Sequence, residues 1–116
     1  MNSSSENKLT SIVIPVYNGA HTIGPLVDEL IASVSPVFNI EIVLVNDCSQ
    51  DNSEEICFDM AKKYPDAVSC YSLAINVGEH NAVMAGLNQD AGDYAVIMDD
   101  DFQNPVSEVK IGRAHV

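Results

Sequence analysis

The segment Ser11-Ile-Val-Ile-Pro-Val16 decides the fold, because it is a nearly continuous run of apolar and β-branched residues. A run without polar alternation is typical of a parallel strand that is buried on both faces. The first, second and fourth apolar runs of the chain are rich in β-branched residues, whereas the third is more mixed. The sequence predicts a strand at each of the three later runs: Glu41–Val45, Val68–Ile75 and Tyr94–Met98.

Helical patterns fill the intervals between these runs. Residues 22–34 place apolar side chains at helical spacing, and Pro25 falls in the first turn, where a missing N–H is tolerated. Residues 52–55 (Asn-Ser-Glu-Glu) resemble a capping box and predict the start of a second helix. Residues 82–87 carry the apolar side of a third helix. Because strand and helix alternate three times, we expect an α/β fold with a parallel sheet and right-handed crossovers.

The charge balance limits the partners that the chain can bind. Its 116 residues include 17 acidic residues and 5 Lys or Arg, which gives a formal net charge of −12. So few cations cannot neutralise a run of phosphates, and we therefore expect no binding to nucleic acid or to anionic lipid surfaces. A phosphate-bearing ligand would need a bridging metal ion or backbone amides.

The cysteines and the apolar content indicate where the protein works. Cys48, Cys57 and Cys70 match no zinc or redox spacing, so we expect reduced, partly buried thiols in a cytosolic compartment. The sequence shows neither a signal peptide nor an apolar run long enough to cross a membrane. We expect a cytoplasmic location, or the cytoplasmic face of a membrane for a longer protein whose downstream segments make the membrane contact.

Each predicted strand ends in a polar, turn-forming cluster. The carboxyl ends of parallel strands lie along one edge of the sheet, so these clusters are expected to converge on one ligand-binding crevice. The alternative interpretation is that they are ordinary polar loops. The clusters are Pro15–Gly19, Asn46–Ser49, Asn76–Gly78 and Asp99–Asp101.

The triple aspartate is the most informative cluster, because adjacent carboxylates repel each other unless a cation lies between them. Alternation in an extended segment places Asp99 and Asp101 on one side, with Gln103 next on the same side. Carboxylate and amide oxygens suit a hard divalent cation, so we assign these three residues to a metal ion. Asp100 is expected to face water or to cap a neighbour. The alternative is a solvated charge run.

Two further positions point to a phosphate and a nucleoside. Gly78 allows close backbone approach just before a helix, whose amide end favours a phosphate. Asp47 could accept hydrogen bonds from a base N–H or a ribose hydroxyl, or it could merely cap the loop. Both interpretations of Asp47 stay open at this point.

The quoted residues 11–18, 45–53, 76–78 and 98–105 resemble the family-2 glycosyltransferases of GT-A fold, and the resemblance covers about residues 10–109. Residues 76–87 followed by 98–105 are most similar to the branch that transfers sugars to polyprenyl phosphates, the dolichyl-phosphate mannose synthase and undecaprenyl-phosphate transferase type. The resemblance implies a Rossmann-like sheet, a UDP- or GDP-sugar donor, Mg²⁺ or Mn²⁺ as cofactor, and transfer with inversion to a polyprenyl phosphate. The alternatives are a saccharide hydroxyl as acceptor, or a non-catalytic module that binds a nucleotide or a cation.

The resemblance also implies roles for single residues. Residues at the end of the first strand would border the nucleoside, residues at the end of the second would bind the base, and residues after the third would line the diphosphate. The last cluster carries the DxD-type motif. No catalytic base is assigned. The implied donor-binding residues are Pro15, Tyr17, Asn18, Asp47, Asn76, Gly78 and Asp99, and the implied metal ligands are Asp99, Asp101 and Gln103. The chain departs from the family pattern at Gly19, Asn46, Cys48, Ile75 and Asp100.

The predicted organisation has three parts. Residues 1–9 form a polar leader, and residues 10–110 form the donor-binding part of the domain. Residues 111–116 (IGRAHV) resemble a translated sequencing-library adapter, so we expect the native part of this sequence to end at or near Lys110. In the whole protein, we expect the acceptor-side half to follow that point.

Overall fold

The computed structural model describes residues 8–89 and 92–98 and the backbone of residues 112–113. Its centre is a five-stranded sheet of order β3-β2-β1-β4-β5. The strands are β1 (Thr10–Val16), β2 (Ile40–Asn46), β3 (Val68–Ser72), β4 (Tyr94–Ile97) and β5 (Gly112–Arg113), and the helices are α1 (Ile23–Ser33), α2 (Ser53–Lys63) and α3 (Glu79–Gln89). The predicted alternation of strands and helices is confirmed.

The first four strands are parallel, as the sequence predicts, and β1 lies between β2 and β4. The short strand β5 pairs with β4 in the antiparallel direction. The sequence did not predict this pairing, and β5 falls in residues 111–116. The assignment of those residues as a non-native tail stays a prediction.

Two apolar cores lie on opposite faces of the sheet. Every residue of β1 is buried, because alternate side chains of the strand point to opposite faces. One face packs against α1 and α2 through a large cluster that includes Ile12, Ile14 and Val16. The other face packs against α3 through a smaller cluster formed by Val13, Val43, Val45 and Ala82. This double burial explains the continuous apolar run in the sequence.

The third strand ends earlier than predicted. The sequence predicts Val68–Ile75, whereas β3 ends at Ser72, which pairs with Asn46, the last residue of β2. Beyond that point β2 offers no further partner, and the chain leaves the sheet after the Leu73 N–H donates to the Asn46 carbonyl oxygen at 2.8 Å. Residues 73–78 are thereby free to cross the carboxyl edge of the sheet.

The predicted capping box at residues 52–55 is wrong. Asn52 stands at the N-cap of α2 without a side-chain capping bond. Instead, Asp51 Oδ1 accepts the Ser53 N–H at 3.0 Å, and the buried Ser53 hydroxyl oxygen accepts the Gly19 N–H at 2.8 Å. Burial alone would raise the pKa of Asp51, but hydrogen bonds from Ser53 and Ala20 outweigh it and hold that pKa below its ordinary value. The helix start is therefore tied to Asp51 and to the loop after β1 instead of being closed by a capping box.

A polar clasp joins α1 to the end of α2. The Tyr64 hydroxyl donates to Asp28 Oδ1 at 2.6 Å, and Lys63 Nζ lies 2.9 Å from the same oxygen. The hydrogen bond from Tyr64, followed by that from Lys63, lowers the pKa of Asp28, and the same bond to Asp28 raises the pKa of Tyr64.

Within the described part of the chain, no helix combines the length and apolar character needed to cross a bilayer.

The clasp predicts a pH dependence of stability. Since the pKa of Asp28 is lowered from 3.8 in the folded state, its contribution is present at higher pH and is lost as the pH falls through the folded pKa. We expect Asp28→Asn and Tyr64→Phe each to lower the free energy of unfolding at about pH 5 more than at about pH 3. Each variant should therefore lose less stability than the parent chain on acidification. Urea unfolding at about pH 5 and about pH 3 measures this loss.

Tyr71→Phe on β3 serves as the control, because it removes the same hydroxyl group from an exposed tyrosine. Its free energy of unfolding should depend on pH as that of the parent does. Parallel stability curves for the parent chain and Asp28→Asn over the acidic range would contradict the clasp.

The contact between α3 and the sheet predicts a second stability effect. A Cβ added at Gly86 would lie 2.5 Å from Val13 Cγ1 and 2.9 Å from Val45 Cγ2. We expect Gly86→Ala to lower the free energy of unfolding by about 1–3 kcal/mol through overpacking. Gly24→Ala in α1 is the matched control, because its Cβ would meet nothing nearer than 3.7 Å. Denaturant unfolding should show the control to be unchanged or more stable by up to about 1 kcal/mol, and equal losses in both variants would contradict the close approach.

Candidate nucleotide-sugar site

A cleft of about 420 Å³ opens at the carboxyl ends of β1 and β2. Cavities of several hundred Å³ are typical of small-molecule sites. Five of the predicted donor-binding residues meet here, because β1, β2 and the segment before α3 all reach this edge of the sheet. The cleft is lined by Pro15, Val16, Tyr17, Asp47, Asn76, Gly78 and Glu79.

Asp47 organises the cleft wall that precedes α3. Its carboxylate is 2% exposed and accepts the Val77 N–H at 2.8 Å and the Gly78 N–H at 3.0 Å. The Asn76 side-chain amide returns a hydrogen bond to the Asp47 carbonyl oxygen at 3.1 Å. Of the two interpretations left open by the sequence, the structure contains the loop cap. A base or a ribose hydroxyl would have to use the remaining lone pairs of the same carboxylate.

This arrangement changes how a phosphate could be held. The sequence predicts that the amide end of α3 favours a phosphate, but the amides of Val77 and Gly78 already donate to Asp47. The described residues that line the cleft include two carboxylates, Asp47 and Glu79, and neither Lys nor Arg. A diphosphate would meet a negative wall at this place, so its binding would depend on a cation supplied from elsewhere.

Of the two lining residues that were not predicted as site residues, Val16 and Glu79, only Glu79 carries a charge. It is the first residue of α3 and directly follows Gly78, whose φ is 90°. Its position after a glycine at a predicted helix start was the available signal. A carboxylate at a helix N-terminus stabilises the helix itself. This structural role was sufficient to explain Glu79 in the sequence, so its position in the cleft wall was not predicted.

Asn18 lies beside the cleft and joins two loops. Its N–H donates to Ser49 Oγ at 3.0 Å, and its side-chain oxygen accepts the Gln50 N–H at 2.9 Å. Its φ of 55° lies in the left-handed region, which Asn tolerates. Cys48 has the same φ of 55°, a conformation that favours glycine over a residue with a side chain. The Cys48 thiol donates to the Ala74 carbonyl oxygen at 3.5 Å.

The predicted metal ligands Asp99, Asp101 and Gln103 lie outside the described residues, as does Asp100. The last described residue before them is Met98, whose N–H donates to the Val13 carbonyl oxygen at 3.1 Å beside β1. Among the residues that the structure describes, no group of three or more His, Cys, Asp or Glu is arranged to hold a metal ion. The metal assignment stays a prediction.

The loop cap predicts the effect of an isosteric change. Asp47→Asn places an amide N–H₂ against one of the two backbone N–H groups, so one part-buried donor loses its acceptor. We expect the free energy of unfolding to fall by about 1–3 kcal/mol, measured by urea unfolding. Asp59→Asn on the exposed side of α2 is the matched control and should stay within about 0.5 kcal/mol of the parent. Equal stability of the two variants would show that the amides do not depend on this carboxylate.

Comparison with known proteins places the chain among transferases. Its relatives in sequence include undecaprenyl-phosphate 4-deoxy-4-formamido-L-arabinose transferase of Yersinia enterocolitica serotype O:8 / biotype 1B, which is 38% identical over 110 residues, covering 94% of this chain and 34% of that protein. The protein of the same name from Yersinia pestis (strain Pestoides F) is 40% identical over 103 residues, covering 88% of this chain and 32% of that protein. The chain thus spans about a third of the length of these curated relatives.

Solved structures show the same fold. The mannosyltransferase PcManGT from Pyrobaculum calidifontis, in complex with GDP-Man and Mn²⁺, matches with a TM-score of 0.72 and 26% identity over 79% of this chain and 27% of that chain. TarS 1–349 of S. aureus in complex with UDP-GlcNAc matches with a TM-score of 0.67 and 27% identity over 79% of this chain and 26% of that chain. The family model for glycosyl transferase family 2 matches residues 11–111. The chain therefore belongs to glycosyl transferase family 2, as its motifs predict.

Proposed function

We propose that this chain carries the donor-binding part of a glycosyltransferase that moves a sugar from a nucleotide-sugar to a polyprenyl phosphate with the help of a divalent cation. The observation that carries the proposal is the cleft at the carboxyl edge of the sheet, where Pro15, Tyr17, Asp47, Asn76 and Gly78 meet. In open α/β sheets this edge is the usual place for a ligand.

The donor is proposed to be a UDP- or GDP-sugar. One structural neighbour was solved with GDP-Man and another with UDP-GlcNAc, so the shared chemistry is a nucleoside diphosphate joined to a sugar. In this chain Tyr17 and Pro15 would border the nucleoside, and Asn76 and Gly78 would line the diphosphate. Asp47 fixes that segment through the amides of Val77 and Gly78.

The cation is proposed to be Mg²⁺ or Mn²⁺ held by Asp99, Asp101 and Gln103. The oxygen donors of these side chains suit a hard cation, and the negative wall formed by Asp47 and Glu79 makes a cation necessary for a diphosphate. A neighbour was solved with Mn²⁺. When bound, the cation would supply charge neutralisation for the departing nucleoside diphosphate.

The acceptor is proposed to be a lipid phosphate. The relatives are named for transfer to undecaprenyl phosphate. Since the second pKa of a phosphate monoester is about 6, such an acceptor is ionised near neutral pH and makes little demand on a general base. Attack of its oxygen on the anomeric carbon, opposite the leaving diphosphate, forms one C–O bond as the other breaks and inverts the configuration. We place this reaction at the cytoplasmic face of a membrane.

Nucleotide titration tests the proposal. UDP and GDP are titrated into the chain by calorimetry with and without Mg²⁺ or Mn²⁺. We expect binding of one nucleotide to depend on the metal and Asp101→Ala to weaken it at least about tenfold, as the loss of a metal-site partner does elsewhere.

Asp100→Ala is the matched control, because it removes a neighbouring carboxylate that we do not assign to the metal, and it should bind like the parent. Equal affinity without metal would contradict the proposed cation. Absence of binding by a chain that circular dichroism shows to be folded would contradict the proposed donor site.

A further inference from the structure

Two of the three cysteines face each other across the packing between α2 and β3. Cys57 on α2 is 0% exposed and belongs to the main core, and Cys70 on β3 packs half-buried against the same cluster. Cys70 is paired in the sheet with Leu44, which also belongs to that core. The two residues lie on different elements, which is why their spacing in the sequence matched no motif.

The two thiols influence each other across this packing. A hydrogen bond from the Cys57 side chain is the largest influence on the pKa of Cys70, which it lowers. Burial and the carboxylate of Glu54 act in the opposite direction, but the net pKa of Cys70 lies below its ordinary value. A partly accessible sulfur with increased thiolate character is the reactive member of such a pair.

The third cysteine provides an internal comparison. Cys48 lies in the loop after β2, where its thiol donates to the Ala74 carbonyl oxygen. It therefore contacts a backbone oxygen, whereas Cys57 and Cys70 are joined by a side-chain hydrogen bond. Any chemistry that depends on two adjacent sulfurs should spare Cys48.

We propose that Cys57 and Cys70 form a redox-sensitive dithiol that a peroxide closes to a disulfide. The Cys70 thiolate attacks one oxygen of hydrogen peroxide, the O–O bond breaks, and hydroxide leaves to take up a proton as water. The Cys57 sulfur then attacks the resulting Cys70 sulfenic acid, its proton and the sulfenic hydroxyl leave as a second water, and the S–S bond forms. Two thiols are oxidised and one peroxide is reduced to two waters.

The position of the pair connects it to the cleft. β3 leads directly into the segment that carries Asn76 and Gly78, two residues of the cleft lining. Helix α2 begins at Ser53, whose hydroxyl oxygen accepts the Gly19 N–H of the loop after β1. A covalent bond between α2 and β3 would restrain the outer strand from which the Asn76–Gly78 segment departs. The proposal does not depend on the proposed transferase activity.

Mass spectrometry of the parent chain tests the pairing without any substitution. The reduced protein is treated with hydrogen peroxide, its remaining thiols are alkylated, and the digest is mapped. We expect a Cys57–Cys70 linked peptide to exceed linkages to Cys48 by at least about tenfold, because proximity governs intramolecular closure. Alkylated Cys48 should accompany it. Predominant linkage to Cys48, or a mapped digest in which Cys57 and Cys70 stay alkylated while Cys48 is oxidised, would overturn the proposal.

Two variants locate the reactive sulfur. Cys48→Ala should form the same disulfide as the parent, and dithiothreitol should restore both thiols. Cys57→Ala removes the resolving thiol, so a sulfenic-acid probe such as dimedone should label Cys70 more strongly than in the parent. Equal labelling of Cys70 in the parent and in Cys57→Ala, with both chains folded by circular dichroism, would show that Cys57 does not resolve the oxidised sulfur.

Discussion

The burial of β1 on both faces is the constraint on which the rest of the structure depends. Every side chain of this strand is enclosed, with Ile12 and Ile14 in the core under α1 and α2, and Val13 in the core under α3. Because β2 and β4 pair with it on either side, its position fixes where both neighbouring strands end. The cleft opens at its carboxyl end, so the same apolar run that makes the fold also places the candidate site.

The shortage of positive charge in the chain as a whole is also found at the cleft. Asp47 is buried and its charge is met by two backbone amides at the head of α3. That contact orders the Asn76–Gly78 wall, but it also uses amides that could otherwise have faced a phosphate. Glu79 adds a second carboxylate to the same wall. The described cleft therefore favours a negatively charged ligand only when a cation neutralises its charge. The predicted oxygen ligands after β4 are suited to hold that cation.

The sequence predicted the sheet well because burial on both faces leaves a strong apolar signal at β1 and β2, and β4 carries a similar apolar run. Five of the predicted residues meet at the cleft because parallel strands end at one edge, whereas Asn18 lies beside it and Asp99 is outside the described residues. The sequence prediction misplaced the end of β3, since that boundary is set by where β2 stops pairing. It placed the start of α2 correctly but predicted the wrong cap, because no side chain caps the helix from Asn52 and Ser53 is engaged with the Gly19 amide of another loop. The interaction between Cys57 and Cys70 was equally invisible, since two elements that are separate in the chain create it.

Backbone strain near the cleft follows from the way the loops are tied. Asn18 and Cys48 both adopt a φ of 55°, a conformation that costs an L-residue about 1–2 kcal/mol. Each is held by a contact to another segment, Asn18 through the Gln50 amide and Cys48 through the Ala74 carbonyl oxygen. Strained residues persist only where their surroundings determine the conformation. In this chain the two strained residues follow β1 and β2, at the edge where the cleft opens. The loops that border the cleft are thus shaped by contacts between them, which keeps its walls in place before any ligand arrives.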